Sequence, residues 1–305
     1  MDRLPQPQRL IVAVKWGLSG GRRAILAPGD VVLVGRSELS QLVVPHDAQM
    51  SSMHFEITWD GHECRFRDLE SARGTLLNGE SGRAFGVVAS GDWLKAGETV
   101  ISVHREGATP PRSDDEEGKT PAAHARVAAA EQALAQLRVM ASREQLYAVL
   151  DGARDDRIHE LLRESVEEHG SLYDGVQGAA LAEVAPYLVR LPAGSRLLDS
   201  LVREGWGRRW GIYLTSPQRF TGVRRHLRRF LMVTDGATEE RLYFRFYDPC
   251  ALTIFLKSCH PGQASEFFEY IGDYLAEEGL SLSTFPSPDR ARRALVDDSS
   301  TIDAR

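Results

Sequence analysis

The chain has 305 residues, 42% of them apolar and 26% charged, with a formal net charge of −6. That length suggests two domains of about 100–200 residues each, in a protein of ordinary folded composition. The acidic balance argues against bulk attraction to nucleic acid, while leaving local basic patches open.

In chain order, residues 10–104 read as short strands: Ile11 to Trp16, Val31 to Val34, His54 to Trp59, Cys64 to Asp68, Thr75 to Leu77 and Val100 to His104. Phe55, Ile57 and Trp59 alternate with His54, Glu56 and Thr58, the period of a half-buried strand. Gly20-Gly21, Pro28-Gly29-Asp30, Asp60-Gly61, Asn78-Gly79 and Ser90-Gly91-Asp92 punctuate them. The pattern predicts an all-β sandwich over residues 1–106. EGATPPRSDDEEGKTP (106–121) cannot build a core and reads as a linker. Beyond it, Val127, Ala130, Leu134, Leu137 and Ala141 fall at helical spacing, so residues 107–145 are expected to be an acidic linker and an amphipathic helix. Two readings of that helix stand: a solvated helix, or one that docks on a partner.

Residues 146–285 change texture. Strand-like LYAVL, PYLVRL, WGIYL, FLMV and RLYFRFY alternate with helix-like DRIHELLRESVEEH, SRLLDSLVRE, PQRFTGVRRHLRRF, ALTIFLKS and ASEFFEYIGDYLAEE. That predicts an α/β domain. Residues 286–305 read as a flexible tail.

A phosphate held by strand-end loops needs a guanidinium fork, hydroxyl donors and a rigid frame. Arg36 can supply the fork, Ser51 and Ser52 the hydroxyls, and Asn78 an amide beside the turn that Gly79 permits. The ordered set Gly35-Arg36, Ser51-Ser52-Met53-His54, Asp68, Ser71, Gly74-Thr75 and Leu77-Asn78-Gly79 resembles the forkhead-associated (FHA) domain over about residues 10–106. The resemblance implies a phosphothreonine-peptide site in which Arg36 and Ser51 hold the phosphate, Ser52 assists and Asn78 braces the binding loop or peptide, with Thr75 beside them; Arg73, a departure from the family pattern, is expected to add a second positive charge near the phosphate. Gly35, His54, Gly74 and Gly79 would be its structural support. In the family pattern an asparagine usually precedes Gly-Thr; here Arg73 stands there, a cation where a peptide-reading amide is expected.

LYAVLDGA (146–153), SLYDG (171–175), PYLVRL (186–191), GWGRRWGIYLTS (205–216), HLRRFLMV (226–233) and RFYDPCAL (245–252) are similar in order and spacing to the type VI secretion adaptor/chaperone family, first catalogued as a domain of unknown function. The resemblance covers about residues 146–270. It implies loading of a secreted effector (toxin) onto a VgrG-type spike protein.

Residues 205–234 hold seven arginines and no acid, interleaved with Trp206, Trp210, Tyr213, Phe220 and Phe230. Ser216-Pro217 reads as the start of a helix whose stripe is Phe220, Val223, Leu227 and Phe230. Arg224/Arg228 and Arg225/Arg229 are then like-charge pairs on its surface. Three readings are open. Acids such as Glu160, Glu164, Glu167 and Glu168 pair with the arginines. A partner docks on Trp206, Arg208, Arg209, Trp210, Arg224, Arg225, Arg228 and Arg229. Or the patch binds nucleic acid. Asp248-Pro249 reads as a helix cap, with His226 and His260 the available partners for any catalytic use of Asp248.

No GxxxxGK[ST], HExxH, CxxC or GxSxG motif occurs, and Gly17 to Gly21 lacks the lysine of a phosphate loop and reads as a turn. Cys259-His260 is adjacent in sequence, a poor basis for catalytic geometry. Cys64, Cys250 and Cys259 are odd in number and lack ligand spacing, which fits a reducing compartment. MDRLPQPQRL is too polar for a signal peptide, and no apolar run approaches the roughly 18 residues of a membrane span. The expectation is a cytoplasmic, non-catalytic adaptor without metal, cofactor or membrane partner. The alternatives are a phosphorylation-dependent signalling scaffold and, more distantly, a nucleic-acid-binding regulator.

Overall fold

The computed structural model describes residues 8–16, 21–81, 84–112, 120–173, 180–234 and 239–293. The expected turn at 17–20, the acidic stretch 113–119 and the last residues of the tail, 294–305, lie outside them. The chain forms two compact units, residues 1–110 with 163–166, and residues 111–162 with 167–305.

The first unit is a β-sandwich. One sheet runs, in spatial order, Arg23–Leu26 (β2), Leu10–Trp16 (β1), Thr99–Arg105 (β10), Trp93–Ala96 (β9) and Leu76–Leu77 (β7). The other runs Leu42–Val43 (β4), Val31–Gly35 (β3), Phe55–Trp59 (β5), Cys64–Asp68 (β6) and Phe85–Val88 (β8). Alternation decides which side chains face in: on β5, Phe55, Ile57 and Trp59 are buried and Glu56 and Thr58 are only partly so. They meet Val12, Leu94 and Ile101 of the opposite sheet in one core. The sequence pattern missed β2, β4, β8 and β9. Leu42–Val43 is too short to show a period, and Gly86 interrupts β8 because a side chain there would strike the Phe66 ring.

The second unit is built on one sheet, in the order His169–Ser171 (β12), Pro186–Arg190 (β13), Leu146–Asp151 (β11), Gly211–Thr215 (β14), Asp273–Glu278 (β17) and Ser281–Pro286 (β18). Neighbours pair antiparallel. All six residues of β11 are buried because both faces are covered. Leu146, Ala148 and Leu150 pack under Pro121–Arg143 (α1), Asp156–Arg163 (α2) and Arg196–Gly205 (α3). Tyr147 and Val149 pack under Phe220–Arg228 (α4), Pro249–Ser258 (α5) and Pro261–Phe267 (α6). A hairpin of Met232–Thr234 (β15) and Arg241–Tyr243 (β16) stands apart from the sheet.

Helix α1 begins at a Thr120 cap, whose hydroxyl accepts the Ala123 N–H at 3.1 Å, with Pro121 in the first turn. Its buried face is Ala129, Ala130, Ala133, Leu134 and Leu137, while Val127 is 59% exposed. Small residues let it lie close on α3, where Arg138 pairs with Asp199 at 2.6 Å and Glu131 with Arg203 at 2.6 Å. So α1 is a layer of the second unit rather than a solvated connector, and residue 146 falls inside that unit.

Three further expectations change. ASEFFEYIGDYLAEE is not one helix: α6 stops at Phe267, Tyr270 takes φ +67°, and the remainder is strand β17, paired on both sides. Two rows of ladder hydrogen bonds and four buried residues override the helix propensity of Leu, Ala and Glu. Ser216 does not cap α4; its Oγ accepts from Gln218 N at 3.1 Å and donates to Tyr270 O at 2.6 Å, forming a turn, and α4 starts at Phe220. The first part of the tail is folded: residues 288–293 are helical, and Arg290 pairs with Asp273 and Glu144.

Candidate functional site

In the first unit, Ser51 joins three loops. Its carbonyl accepts the Arg36 N–H at 3.0 Å, its hydroxyl accepts the Ala72 N–H at 3.1 Å, and its own N–H donates to His54 Nδ1 at 3.0 Å. That last bond leaves Nδ1 unprotonated, so Nε2 carries the proton and donates it to the Gly74 carbonyl at 3.1 Å. Fully buried, His54 thus ties the loop carrying Ser51 to the loop carrying Arg73. Glycine precedes Arg36 for a steric reason: a Cβ on Gly35 would lie 2.2 Å from the Ser52 carbonyl oxygen.

With Ala72 donating to it, the Ser51 hydroxyl keeps its proton for an outside acceptor. Arg36, Ser52 and Arg73 are exposed around it. Among the described residues no side-chain hydrogen bond or ion pair engages Arg36 or Arg73. The arrangement offers two guanidinium groups and a hydroxyl to an anion.

Two expected ligand residues are committed elsewhere. Thr75 is buried and donates to Asp68 Oδ2 at 2.6 Å; Asp68 also accepts from the Ser71 N–H and hydroxyl, which shapes the loop from inside. Burial would push the Asp68 carboxyl up, but the bonds from Thr75 and Ser71 hold it below its ordinary value. Asn78 donates to Asp92 Oδ1 at 2.9 Å and accepts the Trp93 N–H at 3.0 Å. It stitches the β7 turn to β9, with Asn78 and Gly79 both at positive φ.

In the second unit the arginine-and-aromatic run is dispersed. Trp206 and Trp210 are 4% and 5% exposed and belong to the core, so neither can anchor a partner at the surface. Arg224 turns inward to the carbonyls of Ser171 and Tyr173, and Arg229 pairs with Glu266 and Glu269 at 3.0 Å each. Those acids, rather than the four expected near α2, meet Arg229. Arg225 is exposed, and Arg208 and Arg228 are half-buried and engaged. Arg209 joins a different cluster, on Asp248.

That aspartate caps α5, accepting from Cys250 N at 2.9 Å and Ala251 N at 3.2 Å, and it also receives Arg154 and Arg209 at 2.7 Å each. Neither histidine considered beside it is there: His226 is buried and bonded to the Phe267 carbonyl, and His260 caps α6. Cys259 lies half-buried, which pushes its thiol up. Cys64 is buried in the sandwich core, its thiol pushed up to about 12 by burial. Among the described residues no group of three or more His, Cys, Asp or Glu side chains is placed to hold a metal ion, and no helix is long and apolar enough to cross a membrane.

Comparison with known proteins falls on both units. Residues 32–97 match the FHA domain, and residues 146–266 match a Domain of unknown function (DUF4123), the effector-loading adaptor family. The chain therefore carries an FHA domain followed by a DUF4123 domain. An FHA domain solved for its phosphothreonine-dependent interactions is 28% identical, with a TM-score of 0.29 over 34% of this chain and 99% of that one. The FHA domain of a Chlamydia trachomatis protein is 20% identical, with a TM-score of 0.30 over 32% of this chain and 96% of that one. The FHA domain of an Arabidopsis thaliana hypothetical protein is 30% identical, with a TM-score of 0.29 over 34% of this chain and 90% of that one. No curated protein matches the chain.

Proposed function

We propose that this protein is a cytoplasmic, non-catalytic adaptor of a type VI secretion system. Its DUF4123 domain binds a toxic effector and delivers it to the VgrG-type spike. Its FHA domain tethers that complex to a phosphothreonine-bearing protein, or to an effector surface that imitates one. The observation that carries the tether is the pair Arg36 and Arg73, exposed and without side-chain partners among the described residues, on loops that hydrogen-bond Ser51, whose hydroxyl still has a proton to give. The match of residues 146–266 supports the cargo role. Charge-assisted hydrogen bonds from Arg36 would make the tether responsive to a kinase.

The test is co-expression with a type VI effector and a VgrG-type spike protein from the same organism, followed by size-exclusion chromatography. A ternary complex supports the adaptor. Binding to kinase substrates alone, with no retention of effector or spike, points instead to a signalling scaffold. Single-stranded DNA binding that is lost with Arg224→Ala and Arg228→Ala together would favour the nucleic-acid regulator.

A further inference from the structure

The end of β11 carries a cluster that the phosphate pocket does not involve. Asp151 and Asp248 are buried, at 0% and 8% exposure, and between them bind three arginines from separate segments. Arg245 pairs with Asp151, Arg154 and Arg209 pair with Asp248, and Arg154 Nε also lies 3.9 Å from Asp151. All three arginines are exposed residues, with side chains 33–48% accessible. The three arginines and the two aspartates they bind sum to one positive charge; Glu277, whose carboxyl burial pushes up, also acts on Arg209. In each guanidinium a single terminal nitrogen makes the hydrogen bonds to its carboxylate, and among the described residues the other N–H groups have no hydrogen-bond partner.

Two features set this apart from an ordinary surface pairing. Arg209 takes φ +58°, a conformation that residues other than glycine and asparagine rarely adopt, and it does so where its Nη2 alone reaches both oxygens of Asp248. Alongside, Arg245 lies 5.8 Å from the Tyr247 ring, and the Tyr247 hydroxyl is 3.1 Å from that of Tyr243, which is 42% exposed. Arginine held in a fixed plane beside tyrosine is the composition of protein-binding hot spots.

We propose that Arg154, Arg209 and Arg245, with Tyr243, form a docking surface for an acidic segment of a partner protein. Carboxylates of the partner take the outward N–H groups of the three forks, while Asp151 and Asp248 hold the forks in position from below. One net positive charge suits a short run of carboxylates. It does not suit a nucleic-acid backbone, whose binding draws on many cations, and the two buried acids disfavour dense phosphate. This deepens the cargo role and rests on it only in assigning the acidic segment to the cargo; the surface itself is tested without any cargo.

The experiment is fluorescence anisotropy of a labelled oligoglutamate peptide on the full chain at low salt, with melting temperature as the check on folding. The native chain binds. Arg209→Gln and Arg154→Gln each weaken binding about threefold to fivefold. Arg209→Lys, which keeps the charge but not the planar guanidinium, falls between. Native-like binding by both glutamine variants overturns the proposal. So does equally tight binding of single-stranded DNA with the same dependence on Arg209. None of these outcomes bears on whether effector and spike co-purify with the chain.

Discussion

His54 holds Ser51 from beneath: the buried imidazole accepts the Ser51 N–H at 3.0 Å and donates a hydrogen bond from its other nitrogen to the Gly74 carbonyl. The loop that presents a hydroxyl and the loop that presents Arg73 are thereby fixed to one side chain in the core. His54→Ala would leave the Ser51 N–H and the Gly74 carbonyl unpaired, at a cost of about 1–3 kcal/mol. Chemical denaturation should show that loss, and calorimetry should show phosphothreonine-peptide affinity falling with it. Native affinity in His54→Ala would mean that the strut does not set the pocket.

Arg36 and Arg73 should differ in what they contribute. Arg36→Ala removes a charge-assisted bond to phosphate, about 1.5–3 kcal/mol, or more than tenfold in affinity. Arg73→Ala should weaken binding by about threefold at low salt and less as salt rises, because an exposed charge is screened. Titrations at two salt concentrations separate these. An effect of Arg73→Ala that salt leaves unchanged would point to a direct bond instead.

Acid should loosen the FHA domain through Asp47 and Asp68. Both carboxyls are held below their ordinary value against the opposing effect of burial. Asp47 is held by the Thr99 hydroxyl and backbone N–H groups, and Asp68 by Thr75 and Ser71. A carboxyl with a lowered folded-state pKa contributes stability that is complete above its unfolded value, about pH 4, and is lost as pH falls through the folded value. Asp47→Asn should therefore melt below the native chain at neutral pH, and the gap should close as pH falls below about 4. A gap of constant size would show that protonation of Asp47 is not linked to folding.

Leu134 and Leu137 should behave as core residues of the second unit. Replacing either with alanine should cost about 2–5 kcal/mol on denaturation. A cost below about 0.5 kcal/mol, typical of surface positions, would return α1 to the role of a linker.

Much of this architecture is legible in the residues, and the gaps have physical causes. The alternation of Phe55, Ile57 and Trp59 and the Asn78-Gly79 turn declare themselves because period and turn chemistry are local. Asp248-Pro249 announces its cap for the same reason. By contrast, β17 reads as helix because its partners β14 and β18 lie elsewhere in the chain, and pairing overrides local propensity. Trp206 and Trp210 read as surface anchors because their arginine neighbours are charged, yet a turn at Gly207 and Arg209 sends the rings inward. Asp151 and Arg154 sit three apart on one turn, but 94 residues separate Asp151 from Arg245, and only the tertiary fold brings those two together.

The most direct test is calorimetry of the full chain with one peptide in two forms, threonine and phosphothreonine, repeated with Arg36→Ala. The account predicts binding of the phosphorylated form only, and its loss in the variant. Equal affinity for both forms, or phosphopeptide binding that survives Arg36→Ala, would contradict it.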